Sequence, residues 1–166
     1  MEPRLICAYV ALLTAFATGQ AVAAPTVAKE GTFEGMTCYA GPNNMIADGK
    51  GLFASSYDSI GTPIRKDGEL GYLSSNHCVG SVSVVGKELT ESGACLQTDP
   101  DGDRVFMVYG RRNQEPGTWR VVSGTGKYEG IEASGTWKSG TVRPVKQDRQ
   151  GFFQLCNTEA GSWKLK

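Results

Sequence analysis

The sequence predicts an all-β fold, a barrel or a sandwich of short strands. Ten short β-like runs alternate with turn signals such as "AGPNN", "SIGTP", "DPDGD" and "EAG", and 22 of the 166 residues are glycine. No window longer than two turns shows helical periodicity, and this pattern is typical of barrels and sandwiches. The predicted strands are 32–39, 50–56, 70–73, 79–85, 93–97, 104–109, 118–122, 131–138, 151–156 and 162–165.

The N-terminus has the pattern of a secretory signal peptide. Arg4 precedes the apolar run 5–16, and Ala21-Val22-Ala23 matches an A-x-A cleavage site. The apolar run is shorter than the roughly 20 residues that a membrane-spanning helix needs. We therefore expect a signal peptide over 1–23, a leader over 24–30 and a single β-domain over 31–166. The mature protein is expected to be periplasmic or secreted, with no membrane span after cleavage.

The charge balance argues against partners that proteins bind through a strongly charged surface, such as nucleic acid. The chain has 17 basic and 17 acidic residues. A balanced chain lacks the basic surface by which proteins bind nucleic acid, so we expect no nucleic-acid partner. The same balance argues against a basic patch for membrane surfaces.

The cysteines predict a disulfide framework. Cys7 leaves with the signal peptide, and an even number of four remains, which suits an oxidising compartment. A zinc site is the alternative interpretation. The spacings differ from those of zinc knuckles and the chain has one histidine, so no metal is expected from the cysteines.

One disulfide pairing follows from a predicted hairpin. The segment "SVSVVGKELTESGAC" contains Gly86-Lys87, a typical two-residue type II′ loop. Counting outward from this loop puts Cys78 opposite Cys95 at a non-hydrogen-bonded pair, where Cα atoms lie about 4.5 Å apart. That spacing suits a disulfide. By elimination, Cys38 pairs with Cys156 and ties the first strand to the last.

The strand "RVFMVYGR" is apolar on both faces. Val105, Met107 and Tyr109 alternate with Phe106 and Val108, so the two sets point to opposite sides. In a small barrel one face fills the lumen, and the other needs a cover. A homo-oligomer partner and the ordered leader are both candidates for that cover.

The glycine-rich segment 121–140 invites a nucleotide-binding interpretation, which fails. A P-loop needs a glycine five positions before the glycine of its Gly-Lys pair and Ser or Thr directly after the lysine, where this chain has Val121 and Tyr128. No helix is predicted after the loop to bind an anion. We therefore expect no nucleotide or other cofactor.

A structural role explains the same glycines better. Gly124 and Gly126 allow positive φ between two strands, while Tyr128 can turn inward and plug the barrel end. Gly130 and Gly135 relieve crowding where a strand bends or lies close to a neighbour. These features are expected at a barrel corner.

The same stretch carries a resemblance to a known superfamily. "SGTGKYEGIEASGTW" resembles the G-T-G-x-[FY]-x-G-[AI]-x-G-x-G motif of the allene oxide cyclase/dirigent-like β-barrels, although Ala133 stands where glycine is usual. "CLQTDPDGDRVFMVYG" is similar to the acidic hairpin and following strand of exported bacterial members of unknown function. With the strand order, the resemblance covers roughly residues 31–166.

The resemblance implies an antiparallel barrel of about eight strands with a lumen open at one end. The plant members include cyclases and proteins that direct stereochemistry, and they are often oligomeric. Only the scaffold motif transfers residue by residue, onto Gly124, Gly126, Tyr128 and Gly130. No catalytic group transfers.

Two polar features remain as site candidates. Asp99, Asp101 and Asp103 could bind calcium, but an EF-hand counted from Asp99 would need glycine and glutamate where Arg104 and Gly110 stand. A plain turn at "DPDGD" is the favoured interpretation.

The single histidine, His77, is the one candidate general base. Its place beside Cys78 favours an exposed strand end instead.

Four aromatic residues could line a pocket for a small apolar ligand, with core packing as the alternative: Tyr109, Trp119, Tyr128 and Trp137. The leading hypothesis is an exported binding or scaffold protein that holds such a ligand in the lumen. The alternatives are a cyclase or isomerase that acts by confinement, and a structural or protein-interaction module.

Overall fold

The computed structural model describes residues 26–113, 116–140 and 151–166, and these form eight antiparallel strands closed into a barrel. This confirms the predicted all-β barrel with its disulfides. The signal peptide predicted over 1–23 lies outside the described residues. The strands are β1 (Glu30–Ala47), β2 (Leu52–Ile64), β3 (Ser75–Val85), β4 (Glu88–Thr98), β5 (Arg104–Arg112), β6 (Gly117–Gly124), β7 (Glu132–Ser139) and β8 (Phe152–Lys164).

The barrel closes through its first and last strands. Each strand pairs with the next along the chain, and β1 pairs with β8 from Glu30 opposite Lys164 to Pro42 opposite Phe152. Within the described residues every strand pairs with a neighbour on each side, so no strand lies at a sheet edge where edge-to-edge aggregation could begin.

The two ends of the barrel differ. We call the end where residues 65–74, 99–103 and 125–131 connect the strands the closed end, because most of the buried core lies there. At the far end the described connections include the turns at 48–51 and 86–87. The core contains Phe33, Leu70, Val105, Trp119, Tyr128, Ile131, Trp137 and Trp163.

A short 3-10 turn, Gly126–Tyr128, brings Tyr128 into the closed end, where the side chain is fully buried. Gly126 has φ +55° as predicted, and a Cβ there would lie 1.9 Å from an oxygen of Asp103. Gly124 differs from the prediction because its φ is not positive. Glycine is needed at this position for space, because a Cβ on residue 124 would lie 2.2 Å from the carbonyl oxygen of Tyr128.

Both predicted disulfides are present. Cys78 lies directly opposite Cys95 with Cα atoms 4.1 Å apart, which confirms the register set by the Gly86-Lys87 loop. Cys38 bridges to Cys156 across the β1–β8 seam, with Cα atoms 3.9 Å apart. The first bridge faces the lumen and is buried, whereas strand alternation puts the second on the outer wall.

Some predicted boundaries were wrong. The predicted strand 70–73 forms turns, because Gly71 and Leu73 both have positive φ. The predicted strands 151–156 and 162–165 are one strand, β8. The turn signals "AGPNN", "SIGTP" and "EAG" all lie inside strands.

Strand β5 alternates as predicted. Val105 is fully buried on the lumen side, while Phe106 on the outer side keeps 39% of its surface exposed. The described residues of the leader therefore do not cover Phe106. A homo-oligomer that covers this outer face stays a prediction. Within the described ranges, no helix has the length and apolar character to cross a bilayer.

Candidate functional site

The lumen contains a cavity of about 250 Å³ above the closed end. An apolar cavity of about 150 Å³ is large enough to bind benzene. The larger volume therefore has room for a two-ring molecule, and the lumen is not filled solid by side chains.

One wall of the cavity is aromatic. Trp119 on β6 and Trp137 on β7 line it together with Phe33 and Tyr109. Phe33 stacks on Trp119 with centroids 5.8 Å apart, and Tyr109 meets the Trp137 ring edge-on at 6.3 Å. These rings give the cavity a large apolar surface of fixed shape.

Glycines let these rings lie flat against the strands. A Cβ at Gly161 would lie 2.3 Å from Trp119, and one at Gly117 would lie 2.0 Å from Trp137. Because glycine has no side chain, each indole occupies the space above a neighbouring strand. The rings therefore leave the centre of the barrel open.

The wall formed by β2, β3 and β4 carries smaller side chains. Ser55 and Ser59 come from β2, and the disulfide of Cys78 and Cys95 joins β3 to β4. All four residues are buried. The cavity thus has a flat aromatic side and a small, more polar side.

An ion pair spans the lumen near the closed end. Arg65 pairs with Glu159, and the Arg65 guanidinium also lies over the Phe33 ring at 4.4 Å. The Thr37 hydroxyl donates to Glu159 at 2.8 Å, and the Tyr39 hydroxyl donates to it at 3.2 Å. Burial and the Glu159 charge raise the pKa of Tyr39 well above its usual range, so Tyr39 stays neutral.

A second network lies further along the lumen. Tyr57 donates to Glu91 at 2.8 Å and shares a 2.7 Å hydrogen bond with Tyr109. Arg111 pairs with Glu91 at 2.8 Å and lies 4.8 Å from the centre of the Trp137 ring. Burial is the main cause that raises the pKa of Tyr109 to about 12. Both lumen arginines are therefore neutralised by lumen carboxylates.

Several buried polar atoms on the cavity wall have no hydrogen-bond partner among the described residues. They include Trp119 Nε1, Trp137 Nε1, Gln97 Nε2, Asn76 Oδ1 and Asn157 Oδ1. Buried polar groups in native proteins are nearly always bonded to protein or to water. These atoms therefore mark positions where the polar groups of a bound molecule or of solvent would fit.

The structure brings three of the four predicted ligand-binding residues together. Tyr109, Trp119 and Trp137 line the cavity, whereas Tyr128 lies in the closed end and does not line it. His77 is on the outer wall, with 53% of its side chain exposed, and bonds to Asp58 at 2.7 Å. Its position separates it from the lumen.

The three aspartates considered as calcium ligands, for which a plain turn is the favoured interpretation, surround a lysine. Lys127 Nζ lies 2.6 Å from Asp99 Oδ2 and also pairs with Asp101, and the backbone N–H of Lys127 donates to Asp103 at 3.1 Å. Although partial burial opposes the charge, these carboxylates raise the pKa of Lys127. An ammonium group thus neutralises the carboxylates that a cation would need.

Sequence analysis missed the polar residues of the lumen. Arg65 follows β2 and folds back inward, and Glu159 belongs to the "EAG" segment that reads as a turn. Gln97 is the last residue of the predicted strand 93–97, and Asn76 lies three residues before the predicted strand 79–85. Strand alternation extended by three or four residues is the signal that could have placed them.

No protein-family model matches the chain, and no curated protein matches it. Among solved structures, the chain is similar to the pterocarpan synthase dirigent protein GePTS1, with 12% sequence identity and a TM-score of 0.48. The match covers 83% of this chain and 93% of that chain.

Proposed function

We propose that this protein is a binding protein that holds a small, uncharged, mainly apolar ligand in the barrel lumen. The observation that carries this proposal is the 250 Å³ cavity, which has aromatic rings on one wall and unpartnered polar atoms beside them. A concave apolar pocket with a few convergent polar groups is the usual form of a small-molecule site.

The charges in the lumen support an uncharged ligand. Arg65 is paired with Glu159, and Arg111 is paired with Glu91. A charged ligand would have to break one of these pairs or enter without a counter-ion, and an unpaired buried charge is costly. A neutral molecule avoids both costs.

An exported location forms part of the proposal. Two disulfides are typical of proteins that fold in an oxidising compartment, and the predicted signal peptide agrees with this. Fractionation of expressing cells, followed by N-terminal sequencing of the mature protein, tests the location. Recovery from the periplasm or medium with a terminus near residue 24 is the expected result.

The enzyme alternative, a cyclase or isomerase, has one observation in its favour. The network of Tyr57, Tyr109 and Glu91 puts phenol hydroxyls on the cavity wall. With its pKa raised to about 12, Tyr109 stays protonated at neutral pH. Its proton is donated to Tyr57, because Tyr57 donates to Glu91, so Tyr109 would have to redirect that hydrogen bond to a substrate oxygen and would not remove a proton. Substrate turnover that Tyr109→Phe abolishes would favour this alternative.

The third alternative, a structural or protein-interaction module, predicts a lumen filled by side chains. The open cavity argues against it. A direct measurement of small-molecule binding distinguishes the proposed binding function from the interaction module. Coumarin is a neutral two-ring probe whose binding can be followed by equilibrium dialysis and absorbance.

Two neighbouring serines on β2 provide a matched test. Ser55 is buried on the lumen wall, whereas Ser56 is exposed on the outer wall. Ser55→Phe should fill the cavity and weaken coumarin binding at least tenfold, while Ser56→Phe should leave it unchanged. Absence of coumarin binding to the wild type, or equal binding to both variants, would contradict the proposal.

A further inference from the structure

Two buried amide side chains lie side by side on the cavity wall. Asn76 on β3 is directly opposite Gln97 on β4, and both face the lumen. Their exposed fractions are 4% and 5%. Directly opposed residues on antiparallel strands have Cβ atoms about 5 Å apart. The two amide groups therefore form one small polar patch.

The orientation of the Asn76 amide follows from its neighbours. Tyr39 donates its proton to Glu159, so the Tyr39 oxygen can only accept a further hydrogen bond. Asn76 therefore presents Nδ2 to that oxygen, at 3.4 Å. Its Oδ1 is left as an acceptor with no partner among the described residues.

Gln97 supplies the complementary group. Its Nε2 is buried and also lacks a partner within the described part of the chain. The patch thus presents one free acceptor, Asn76 Oδ1, next to one free donor, Gln97 Nε2. An unpaired buried polar group is unfavourable, so a molecule that pairs with both groups gains affinity.

We propose that this patch recognises the amide edge of a neutral lactam or carboxamide, an inference that rests on the proposed ligand-binding function. The ligand N–H donates to Asn76 Oδ1, and the ligand carbonyl accepts from Gln97 Nε2. An amide edge carries one donor and one acceptor on adjacent atoms without net charge. It therefore matches the patch and leaves the Arg65–Glu159 pair intact.

The rest of the cavity suits the remainder of such a ligand. Trp119 and Trp137 line the same cavity as the patch and form its flat wall, and the volume admits two fused rings. A carboxylate lacks the donor that Asn76 Oδ1 needs and carries a charge that the paired lumen arginines do not compensate. A ketone or ether satisfies Gln97 and leaves Asn76 unpaired.

Two isosteric probes isolate the amide N–H. In 2-quinolone a lactam N–H occupies the position that a ring oxygen occupies in coumarin, and the two molecules are otherwise alike in shape. We expect the wild-type protein to bind 2-quinolone at least tenfold more tightly than coumarin in equilibrium dialysis. A site built to pair a polar group discriminates strongly against the analogue that lacks it.

Two variants assign the contacts. Asn76→Leu should reduce the 2-quinolone to coumarin affinity ratio to about one, because it removes the group that senses the N–H. Gln97→Met keeps the side-chain length and should weaken both probes by a similar factor of about ten, since both carry the carbonyl. Gln154 is an exposed amide on β8, and Gln154→Met should change neither affinity.

Equal wild-type affinity for the two probes would overturn this inference while leaving the proposed binding function in place. A preference that survives in Asn76→Leu would overturn it as well. If neither probe binds, both the inference and the proposed function fail. If Asn76→Leu does not fold, the wild-type ratio and the parallel loss in Gln97→Met still decide the question.

Discussion

The closed end and the cavity are built from the same kind of residue but differ in how their polar atoms are paired. At the closed end, Trp163 Nε1 donates to the Ala28 carbonyl oxygen at 2.9 Å. In the cavity, Trp119 Nε1 and Trp137 Nε1 have no partner among the described residues. All three rings are buried to a similar degree.

This contrast shows that burial alone does not identify a binding site. The indole of Trp163 fills space and is satisfied by the leader, so it has a structural role. The indoles of Trp119 and Trp137 are equally buried but border an open volume. What distinguishes these cavity-lining members of the core from Trp163 is therefore unpaired hydrogen-bonding capacity.

The largest expected effect comes from the turn that carries Tyr128 into the closed end. Gly126→Val should lower the free energy of unfolding by about 4 kcal/mol, because strain at positive φ adds to a clash with Asp103. Chemical denaturation measures this. Gly102 has φ +87° with open space around it, so Gly102→Val should cost only about 2 kcal/mol. Equal costs would show that the clash is unimportant.

The lumen disulfide provides the corresponding test on the cavity side. Replacing Cys78 and Cys95 together by alanine should lower stability by about 3 kcal/mol, since the bridge closes a loop with a sequence separation of 17. The smaller side chains should also alter coumarin affinity. An unchanged denaturation midpoint under oxidising conditions would contradict the stabilising role.

The tryptophan comparison itself can be tested with two matched substitutions. Trp163→Phe and Trp119→Phe remove similar volumes, but only the first breaks a hydrogen bond and leaves a carbonyl unpaired. Trp163→Phe should therefore cost about 1–2 kcal/mol more than Trp119→Phe. If the two costs are equal, the indole of Trp119 is satisfied in solution by ordered water or ligand.

The smallest effect concerns the acidic turn at the closed end. Burial opposes ionisation of Asp99, but the stronger influence of Lys127 and of backbone N–H groups holds the pKa of Asp99 below its usual 3.8. A depressed pKa adds stability above about pH 4, which is lost as the pH falls through the folded-state value.

Asp99→Asn should therefore be about 1 kcal/mol less stable than the wild type at pH 7 and equally stable near pH 2. Urea denaturation across this pH range measures the difference. Asp58 is an exposed carboxylate paired with His77, and Asp58→Asn serves as the control. If the difference in unfolding free energy between the wild type and Asp99→Asn stays constant with pH, the ion-pair explanation is contradicted.

The parts of the fold that sequence analysis predicted are those set by local chemistry. The two-residue loop Gly86-Lys87 fixes the register of its hairpin, so the Cys78–Cys95 pairing follows. The positive φ of Gly126 and the inward position of Tyr128 also follow from short-range sequence.

The cavity could not be predicted in the same way, because its residues meet only after closure. Glu159 lies in an apparent turn signal, yet it pairs with Arg65, ninety-four positions earlier in the chain. Gly161 reads as a turn residue, but its role is to make room for Trp119 from another strand. Such contacts depend on the register around the whole barrel, which local patterns do not contain.

The arrangement of the bridges has a consequence for biosynthesis. The pairing is nested, with Cys78–Cys95 enclosed within Cys38–Cys156. In the proposed export, the chain crosses a membrane amino terminus first and exposes Cys38 and Cys78 together, long before Cys156, so an oxidase can join the wrong neighbours. Correction requires thiolate exchange. The yield of native protein should therefore depend on a disulfide isomerase and fall in cells that have an oxidase alone.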